Sequence, residues 1–194
     1  MLTEISKKWD IILASKSPRR NQLLAELGLN FRSISKEVKE NYPEHLIKEQ
    51  ITNYLSEKKA DAFSVEKPNQ LVIAGDTIVC KDTEVLGKPK DKKEAYTMIE
   101  SLSGGVHEVI SSFCIKTEKQ KITKSDVVKV YFKELTSDEI SYYIDTFSPY
   151  DKAGGYGIQE WIGQIGITKI EGSFYTVMGM PVHLIYSSLK QLMK

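Results

Sequence analysis

Strand-like apolar runs alternate with helix-start signals along the first half of this chain, and no other feature of the sequence restricts the fold as much. Ile11–Ala14 and Leu71–Gly75 are short continuous apolar runs, typical of strands that are buried on both faces. After the first run, Ser17-Pro18 supplies the N-cap and first-turn residues of a helix, and Gly28 is typical of its end. The alternation predicts an α/β fold.

Further helices and a β-rich middle follow along the chain. Helices are predicted over 44–63, from the capping box at Asp91 to Leu102, from Thr136 to Phe147, and from Pro181 onwards. Strands are predicted over 31–35, 106–116, 127–132, 164–171 and 174–177. The two middle strands alternate enough to be half-exposed and antiparallel, so we expect a mixed sheet.

Composition and charge exclude several classes of protein. The chain has 194 residues, 41% of them hydrophobic, with 27 Lys and Arg against 26 Asp and Glu. This length suits one domain or two tightly joined lobes, and we expect a single domain over residues 1–194. Disulfide scaffolds and disordered chains are excluded. The net charge of +1 gives no overall attraction to nucleic acid or membranes, and we expect neither as a partner.

The cysteines and the N-terminal residues indicate the compartment. Cys80 and Cys114 stand alone in apolar runs without metal-ligand spacing, so we expect two reduced core thiols. The first ten residues do not have a signal-peptide pattern, and no apolar stretch approaches the roughly 20 residues that span a bilayer. The expected location is the cytoplasm.

Two arginines follow Ser17-Pro18 in the first turn of a predicted helix. Arg19 and Arg20 oppose the positive end of the helix dipole, where acidic residues are favoured. A bound phosphate removes this conflict, because free backbone N–H groups, the hydroxyls of Ser15 and Ser17, and guanidinium groups all bind phosphate oxygens. The alternative is an ordinary N-cap followed by solvated arginines.

Asp76 follows the second apolar run directly, at the end of a predicted strand where α/β sheets gather ligands. It is a candidate metal ligand or general base, and the alternative is an Asp that caps a turn. Lys88 lies between Gly87 and Pro89 in a stiff loop and is either a phosphate contact or a solvated lysine. Glu37 or Glu40 could join Asp76 in holding a divalent cation, and the alternative is a surface charge.

A glycine-containing loop, Asp151–Gln159, is the third candidate segment. Its glycines allow a ligand to approach the backbone closely, and Gln159 offers the paired donor and acceptor that read a base edge. The chain lacks the GxxxxGK[ST], GxGxxG, HExxH and GxSxG motifs, which argues against P-loop, Rossmann, zinc-hydrolase and esterase chemistry.

Together these motifs identify a family. Five segments match it in order, and the match runs from Ile11 to Leu189: Ala14–Arg20, Asp76-Thr77, Leu86–Pro89, Leu102–Gly104 and Asp151–Gln159. The chain resembles the Maf family of nucleoside triphosphate pyrophosphatases, first named as septum-formation inhibitors. The resemblance implies an inosine triphosphatase-like fold, with a long twisted mixed sheet, flanking helices and two lobes with a central cleft. It also implies a homodimer and hydrolysis to monophosphate and pyrophosphate with Mg²⁺ or Mn²⁺.

The branch of this family that acts on dTTP and UTP is marked by motifs that occur here as Ser17–Arg20, Asp76-Thr77 and Gly157–Gln159. By the resemblance, Asp76 is the proton acceptor, and Glu37 and Asp76 hold the metal. Arg19, Thr77 and Gln159 match specificity positions, while Ser15, Arg20, Lys59, Lys88 and Lys152 are expected to contact substrate or phosphate, with Arg20 and Lys88 catalytic.

One departure from the family pattern concerns substrate preference. Glu160 stands where the family commonly has Gly, which puts an extra negative charge beside the expected base site. Within the enzyme class, modified pyrimidine nucleotides such as 5-methyl-UTP or pseudo-UTP are the alternative substrates. A non-hydrolytic, nucleotide-binding regulator of cell division is the alternative function.

Overall fold

The computed structural model of the protein describes residues 2–193. Eight α-helices occur among these residues: α1 (Leu2–Lys8), α2 (Pro18–Glu26), α3 (Glu49–Asp61), α4 (Lys92–Leu102), α5 (Ser137–Phe147), α6 (Trp161–Gly166), α7 (Phe174–Val177) and α8 (Val182–Gln191). Seven strands accompany them: β1 (Asp10–Leu13), β2 (Arg32–Ser33), β3 (Gln70–Lys81), β4 (Glu84–Leu86), β5 (Val106–Lys116), β6 (Lys121–Phe132) and β7 (Ile167–Glu171).

The strands form one mixed sheet, which confirms the predicted fold class. Their order is β2-β1-β3-β5-β6-β7, and β4 pairs with β3 outside this path. Strand β1 runs parallel to β2 and β3, with Ile11 opposite Leu71 and Leu13 opposite Ile73. The pairs β3–β4 and β6–β7 are antiparallel. Both apolar runs of the first half are thus neighbouring parallel strands, as their composition predicts.

The chain divides into two compact units. Unit 1 comprises the residues up to Asp76, Ser111–Asp126 and the residues from Gly179 onwards, and unit 2 comprises Thr77–Ile110 and Val127–Met178. The single domain expected over residues 1–194 stays a prediction.

Helix α3 packs on the sheet in unit 1. Its Ala60 is completely buried in a cluster with Val72 and Ala74 of β3 and with Cys114 of β5. Cys80 and Cys114 are buried thiols that form no disulfide, as predicted, and burial raises the pKa of the Cys114 thiol to about 11. None of the helices described for residues 2–193 is long and apolar enough to cross a membrane.

In unit 2, two helices each bury three residues of one face. Ala95, Ile99 and Leu102 are the buried residues of α4, and Ile140, Tyr143 and Ile144 are those of α5. Helix α5 begins with the predicted capping box of Thr136 and Glu139.

Several predicted boundaries were wrong. Helix α3 begins at Glu49, not at residue 44, because Lys48 has a φ of 46°, which a helix interior does not accommodate. Residues 174–177 form a helix instead of a strand: Gly172, with a φ of 128°, precedes it, and the Met178 N–H donates to the Phe174 carbonyl. Residues 164–166 belong to α6. Strand β5 is almost entirely buried instead of half-exposed, because it lies between β3 and β6.

The most consequential boundary is that of β3. The strand was expected to end at Gly75 with Asp76 just beyond it, but it continues to Lys81. Ile78, Val79 and Cys80 are buried, so the apolar face of the strand continues past Asp76. The carboxylate therefore lies within a strand, and the prediction that it follows the carboxyl end was wrong.

Candidate active site

The start of α2 has the predicted geometry. The Ser17 side chain caps the helix by accepting a hydrogen bond from the Arg20 backbone N–H at 3.4 Å. Ser15 is buried, and its hydroxyl accepts from the Ser17 N–H at 3.1 Å. The turn between β1 and α2 is thus fixed by two hydroxyls, at the point where the sequence predicts phosphate binding.

The two arginines of this turn differ in their surroundings. Arg20 donates from Nε to the Gly179 carbonyl at 2.9 Å and from Nη1 to the Gly75 carbonyl at 2.8 Å. Burial lowers the pKa of this guanidinium, while the Asp76 charge opposes that shift. Arg19 is partly buried beside Arg20. Arg20 is therefore hydrogen-bonded to β3 at Gly75, the residue that precedes Asp76. One of the two unusual positive charges at the start of α2 thus binds two backbone carbonyls.

Asp76 pairs with a lysine of α3. Its side chain is buried, and its Oδ1 lies 2.5 Å from Lys59 Nζ. The same ammonium lies 2.7 Å from Oε1 of Glu40, so Lys59 stands between two carboxylates. Lys59 is placed there by α3, whose next residue, Ala60, is anchored in the core. The structure thus brings together Lys59 and Asp76, two of the predicted site residues.

Of the two acids considered for a metal site, the structure brings Glu40 to this pair, while Glu37 is exposed. Among residues 2–193, no group of three or more His, Cys, Asp and Glu side chains could hold a metal ion. Mg²⁺ is usually bound by only one or two carboxylates together with water and substrate phosphates. Asp76 and Glu40 are a donor set of that kind.

The remaining predicted residues belong to unit 2. Thr77 is partly buried in β3, and Lys88 is exposed just after β4. The carbonyl of Gly87 accepts a hydrogen bond from the Gly154 N–H at 2.9 Å, which ties the Lys88 segment to the predicted glycine loop. Lys88 and that loop are therefore neighbours, although 66 residues separate Lys88 from Gly154 in the sequence.

The glycine loop is mostly buried. Gly154 has a φ of 70°, and a Cβ there would lie 3.0 Å from the Val79 side chain, so this position needs glycine. Lys152 is buried, and its Nζ lies 2.7 Å from Asp151 Oδ1 and 3.1 Å from Glu160 Oε1. Gln159 Oε1 is buried and has no hydrogen-bond partner among the residues that the structure describes. An unpartnered buried acceptor is suited to a ligand donor.

Glu160, whose extra negative charge was expected beside the base site, has a paired carboxylate. Besides Lys152, it binds the hydroxyl of Tyr143, which donates to Glu160 Oε2. Burial and the Glu160 carboxylate raise the pKa of Tyr143. The sequence-based interpretation missed Tyr143, and its only signal was a hydroxyl on the otherwise apolar face of α5.

A second buried polar pair in unit 2 was also missed. His107 Nε2 and the Tyr156 hydroxyl are 2.7 Å apart, and both residues are buried. Burial, with a contribution from the Lys81 charge, lowers the pKa of His107 to about 4, so the imidazole is neutral. This pair holds the glycine loop at Tyr156.

The fold is similar to that of two solved structures at low sequence identity. A Ham1 protein of Staphylococcus aureus matches 94% of this chain and 98% of its own, with 14% identity and a TM-score of 0.51. A HAM1 protein from Coxiella burnetii matches 94% of this chain and 99% of its own, with 13% identity and a TM-score of 0.53. These similarities support the long mixed sheet with flanking helices.

Sequence comparison identifies much closer relatives. A protein of Christiangramia forsetii named dTTP/UTP pyrophosphatase is 48% identical over 194 residues, which are 100% of this chain and 99% of the relative. One of Flavobacterium johnsoniae with the same name is 49% identical over 193 residues, 99% of this chain and 100% of the relative. The family model described as Maf-like protein matches residues 10–192. This chain is therefore a member of the Maf-like protein family.

Proposed function

We propose that this protein hydrolyses nucleoside triphosphates to the monophosphate and pyrophosphate, with dTTP and UTP as substrates, and so removes unwanted nucleotides from the pool. The observation that carries the proposal is the buried contact of Asp76 with Lys59. This contact joins a carboxylate and an ammonium at the strand that Arg20 binds through the Gly75 carbonyl. Relatives that are 48% and 49% identical to this chain are named dTTP/UTP pyrophosphatases.

In the proposed reaction, a water molecule attacks the α-phosphorus of the α–β phosphoanhydride. A P–O bond forms to the water oxygen, the bridging P–O bond breaks, and pyrophosphate leaves. Asp76 accepts the proton that the water loses, since it is the buried carboxylate of unit 1 that the motifs single out. Charge on the departing pyrophosphate is stabilised by basic side chains, namely Arg19 or Arg20, Lys59 and Lys88. Ser15 and Lys152 are further contacts to substrate or phosphate.

We propose that Asp76, together with Glu40 or Glu37, holds a divalent cation. Mg²⁺ or Mn²⁺ supplies charge neutralisation at phosphate oxygens and activation of water. In the structure the Lys59 ammonium lies at these carboxylates, 2.5 Å from Asp76 and 2.7 Å from Glu40. A divalent cation bound by the same oxygens competes with that ammonium electrostatically.

We propose that Gln159 recognises the base, with Arg19 and Thr77 as further specificity residues. The Watson–Crick edge of uracil or thymine has a donor at N3 and an acceptor at O4, which an amide complements with its oxygen and its NH₂ group. The unpartnered Oε1 of Gln159 supports this assignment. A substituent at C5 leaves that edge unchanged, so 5-methyl-UTP is a second candidate substrate, and pseudo-UTP a third.

Two further properties belong to the proposal: a homodimer, which the family resemblance implies, and a cytoplasmic location, which the sequence patterns of the chain indicate. The sedimentation coefficient of the purified protein tests the first. Fluorescence microscopy of the tagged chain in its own cells tests the second.

The activity is tested by pyrophosphate release from a panel of canonical and modified nucleoside triphosphates, each with and without Mg²⁺ or Mn²⁺. We expect metal-dependent release that is fastest with dTTP, UTP or their modified forms. Tight nucleotide binding without any turnover would support the alternative, a nucleotide-binding regulator of cell division. Release that is unaffected by a chelator would exclude the proposed metal dependence.

A further inference from the structure

We propose that Tyr143, Lys152 and Glu160 form a clamp that fixes the orientation of Gln159 and thereby sets the discrimination between bases. This inference rests on the proposed function, because it assigns a role in base recognition to Tyr143 and Glu160, which the proposed reaction does not use, and to Lys152. The name "clamp" denotes these three side chains only.

Gln159 is part of a β-turn. The Glu160 N–H donates to the Gly157 carbonyl at 3.0 Å, which closes a turn over residues 157–160 with Gln159 at its third position. The direction of the Gln159 side chain therefore depends on how firmly the two ends of this turn are held.

The hydroxyl of Tyr143 contacts both ends of the turn. It accepts a hydrogen bond from the Gly157 N–H at 3.0 Å and donates its own proton to Glu160 Oε2. Because Tyr143 is completely buried on α5, this hydroxyl is a fixed point of the core. Hydrogen bonds in such a directed chain polarise and strengthen one another.

Lys152 supplies the positive charge that pairs with the Glu160 carboxylate in the clamp. Its Nζ lies 3.1 Å from Glu160 Oε1, so both oxygens of the Glu160 carboxylate are engaged. Side-chain exposure is only 9% for Lys152 and 19% for Glu160, and a carboxylate this buried needs such partners. Lysine has three donors, and contacts to Asp151 and Glu160 leave one N–H of Lys152 for substrate.

The clamp also explains why residue 157 is glycine. A Cβ at this position would lie 3.0 Å from Glu160 Cδ and 3.1 Å from Lys152 Cε, so the ion pair packs directly against the backbone of the turn. On the preceding side, Tyr156 is anchored by His107 at 2.7 Å. The turn that carries Gln159 is thus held at Tyr156 and Gly157 on one side and at Glu160 on the other.

This arrangement gives Glu160 a positioning role that the family's usual glycine could not supply. The Gln159 Oε1 atom is buried and has no hydrogen-bond partner among residues 2–193, so no protein donor fixes this oxygen and its position depends on the turn that carries it. An amide held in one orientation accepts a hydrogen bond from N3–H of uracil without first losing conformational freedom.

The test compares kcat/KM for UTP and CTP in Glu160→Ala, Glu160→Gln and Tyr143→Phe, each made also in a Gln159→Ala background. We expect Glu160→Ala and Tyr143→Phe to lower the UTP/CTP ratio about tenfold, with Glu160→Gln closer to the wild type. In the Gln159→Ala background, the same changes should leave the ratio as it is. Tyr142→Phe, an exposed position on the same helix, is the matched control and should change neither nucleotide.

Two outcomes would overturn the clamp. The first is an equal loss for UTP and CTP, and the second is a fall in the ratio that persists without Gln159. If the proposed function itself is wrong, the wild-type protein releases no pyrophosphate. That result is distinct from both outcomes that overturn the clamp.

Amide hydrogen exchange tests the clamp without nucleotide. We expect Glu160→Ala to accelerate exchange of the backbone amides at positions 157 and 160 at least tenfold, whereas Tyr142→Phe leaves these exchange rates unaltered. Unchanged exchange in Glu160→Ala overturns the proposal whatever the activity.

Discussion

Lys59 Nζ lies 2.5 Å from Asp76 Oδ1, a contact that joins α3 to the middle of β3. The side chains are 14% and 9% exposed, so the pair is shielded from water and its attraction is stronger than that of a surface ion pair. The same ammonium also meets Glu40 at 2.7 Å. In this protein a lysine therefore holds the oxygens that we propose as metal ligands.

Replacing Lys59 by methionine should strengthen metal binding to the nucleotide-free protein. Methionine preserves much of the apolar stem but removes the ammonium, so Asp76 and Glu40 keep their charges without their shared cation. We expect the Kd for Mn²⁺, measured by electron paramagnetic resonance titration, to fall about tenfold, which corresponds to about 1.4 kcal/mol.

The matched control for this experiment is Lys58→Met. Lys58 is the neighbouring residue of α3, and its ammonium binds Asn41 at the backbone carbonyl and at Oδ1 instead of a carboxylate. Its replacement should leave Mn²⁺ affinity as it is. Weaker or unaltered Mn²⁺ binding in Lys59→Met would mean that Lys59 does not compete with the metal.

Asp76→Asn should remove pyrophosphate release and leave the fold intact. Asparagine has the same shape but is a poor proton acceptor, and Lys59 keeps its contact with Glu40 in the variant. We expect kcat to fall about a thousandfold, within the range of general-base catalysis. The thermal midpoint should change by only a few degrees.

Asp61→Asn provides the comparison for Asp76→Asn. Asp61 also belongs to unit 1 and pairs with Lys116 and Lys121, but its side chain is 47% exposed and lies in none of the motifs. Its kcat should equal that of the wild type. Turnover near the wild-type rate in Asp76→Asn would refute the proton-acceptor assignment.

Local signals predicted the parts of the fold whose determinants are close in sequence. Ser17 caps α2 and Thr136 caps α5 as their spacing indicates, because a cap depends on residues within one helical turn. The burial of β1 and of the first half of β3 likewise agrees with their continuous apolar runs, whereas the parallel pairing of these two strands was not predicted.

The features that were not predicted depend on distant residues. A carboxylate inside a buried strand contradicts local patterning, and what makes it possible at Asp76 is Lys59, which lies 17 residues earlier on another element. Tyr143 and Glu160 are likewise 17 residues apart, with no periodicity linking them. The sequence left Glu37 and Glu40 open as partners of Asp76, because both lie in a loop without regular structure and no periodicity shows which of them contacts Lys59; in the structure it is Glu40.

Gln159→Ala should reduce discrimination between bases more than catalysis. The change removes the unpartnered Oε1 acceptor and the amide donor but leaves Lys59 and Asp76 in place. A lost hydrogen bond that leaves a buried partner unsatisfied costs about 1–3 kcal/mol. We expect the ratio of kcat/KM for UTP to that for CTP to fall at least about tenfold, with kcat for UTP little altered. Equal losses for UTP, CTP, ATP and GTP would contradict the specificity role.

His107→Gln should remove a pH dependence of stability. Burial, with a smaller contribution from Lys81, lowers the pKa of His107 from 6.5 to about 4 in the folded protein. Between these values the unfolded chain binds a proton that the folded protein does not. The contribution of His107 to the free energy of unfolding is therefore complete above pH 6.5 and is lost as the pH falls towards 4. From pH 7 to pH 5 this group should account for about 2 kcal/mol of the loss in unfolding free energy.

Urea denaturation at pH 7 and pH 5 measures this contribution. Glutamine offers a neutral partner for the Tyr156 hydroxyl and does not titrate, so the loss on acidification should be about 2 kcal/mol smaller in His107→Gln. His183→Gln is the control, because the His183 side chain is 50% exposed and its replacement should leave the wild-type loss intact. If His107→Gln loses as much stability as the wild type between the two pH values, the imidazole is protonated in the folded protein and does not hold Tyr156 as a neutral partner.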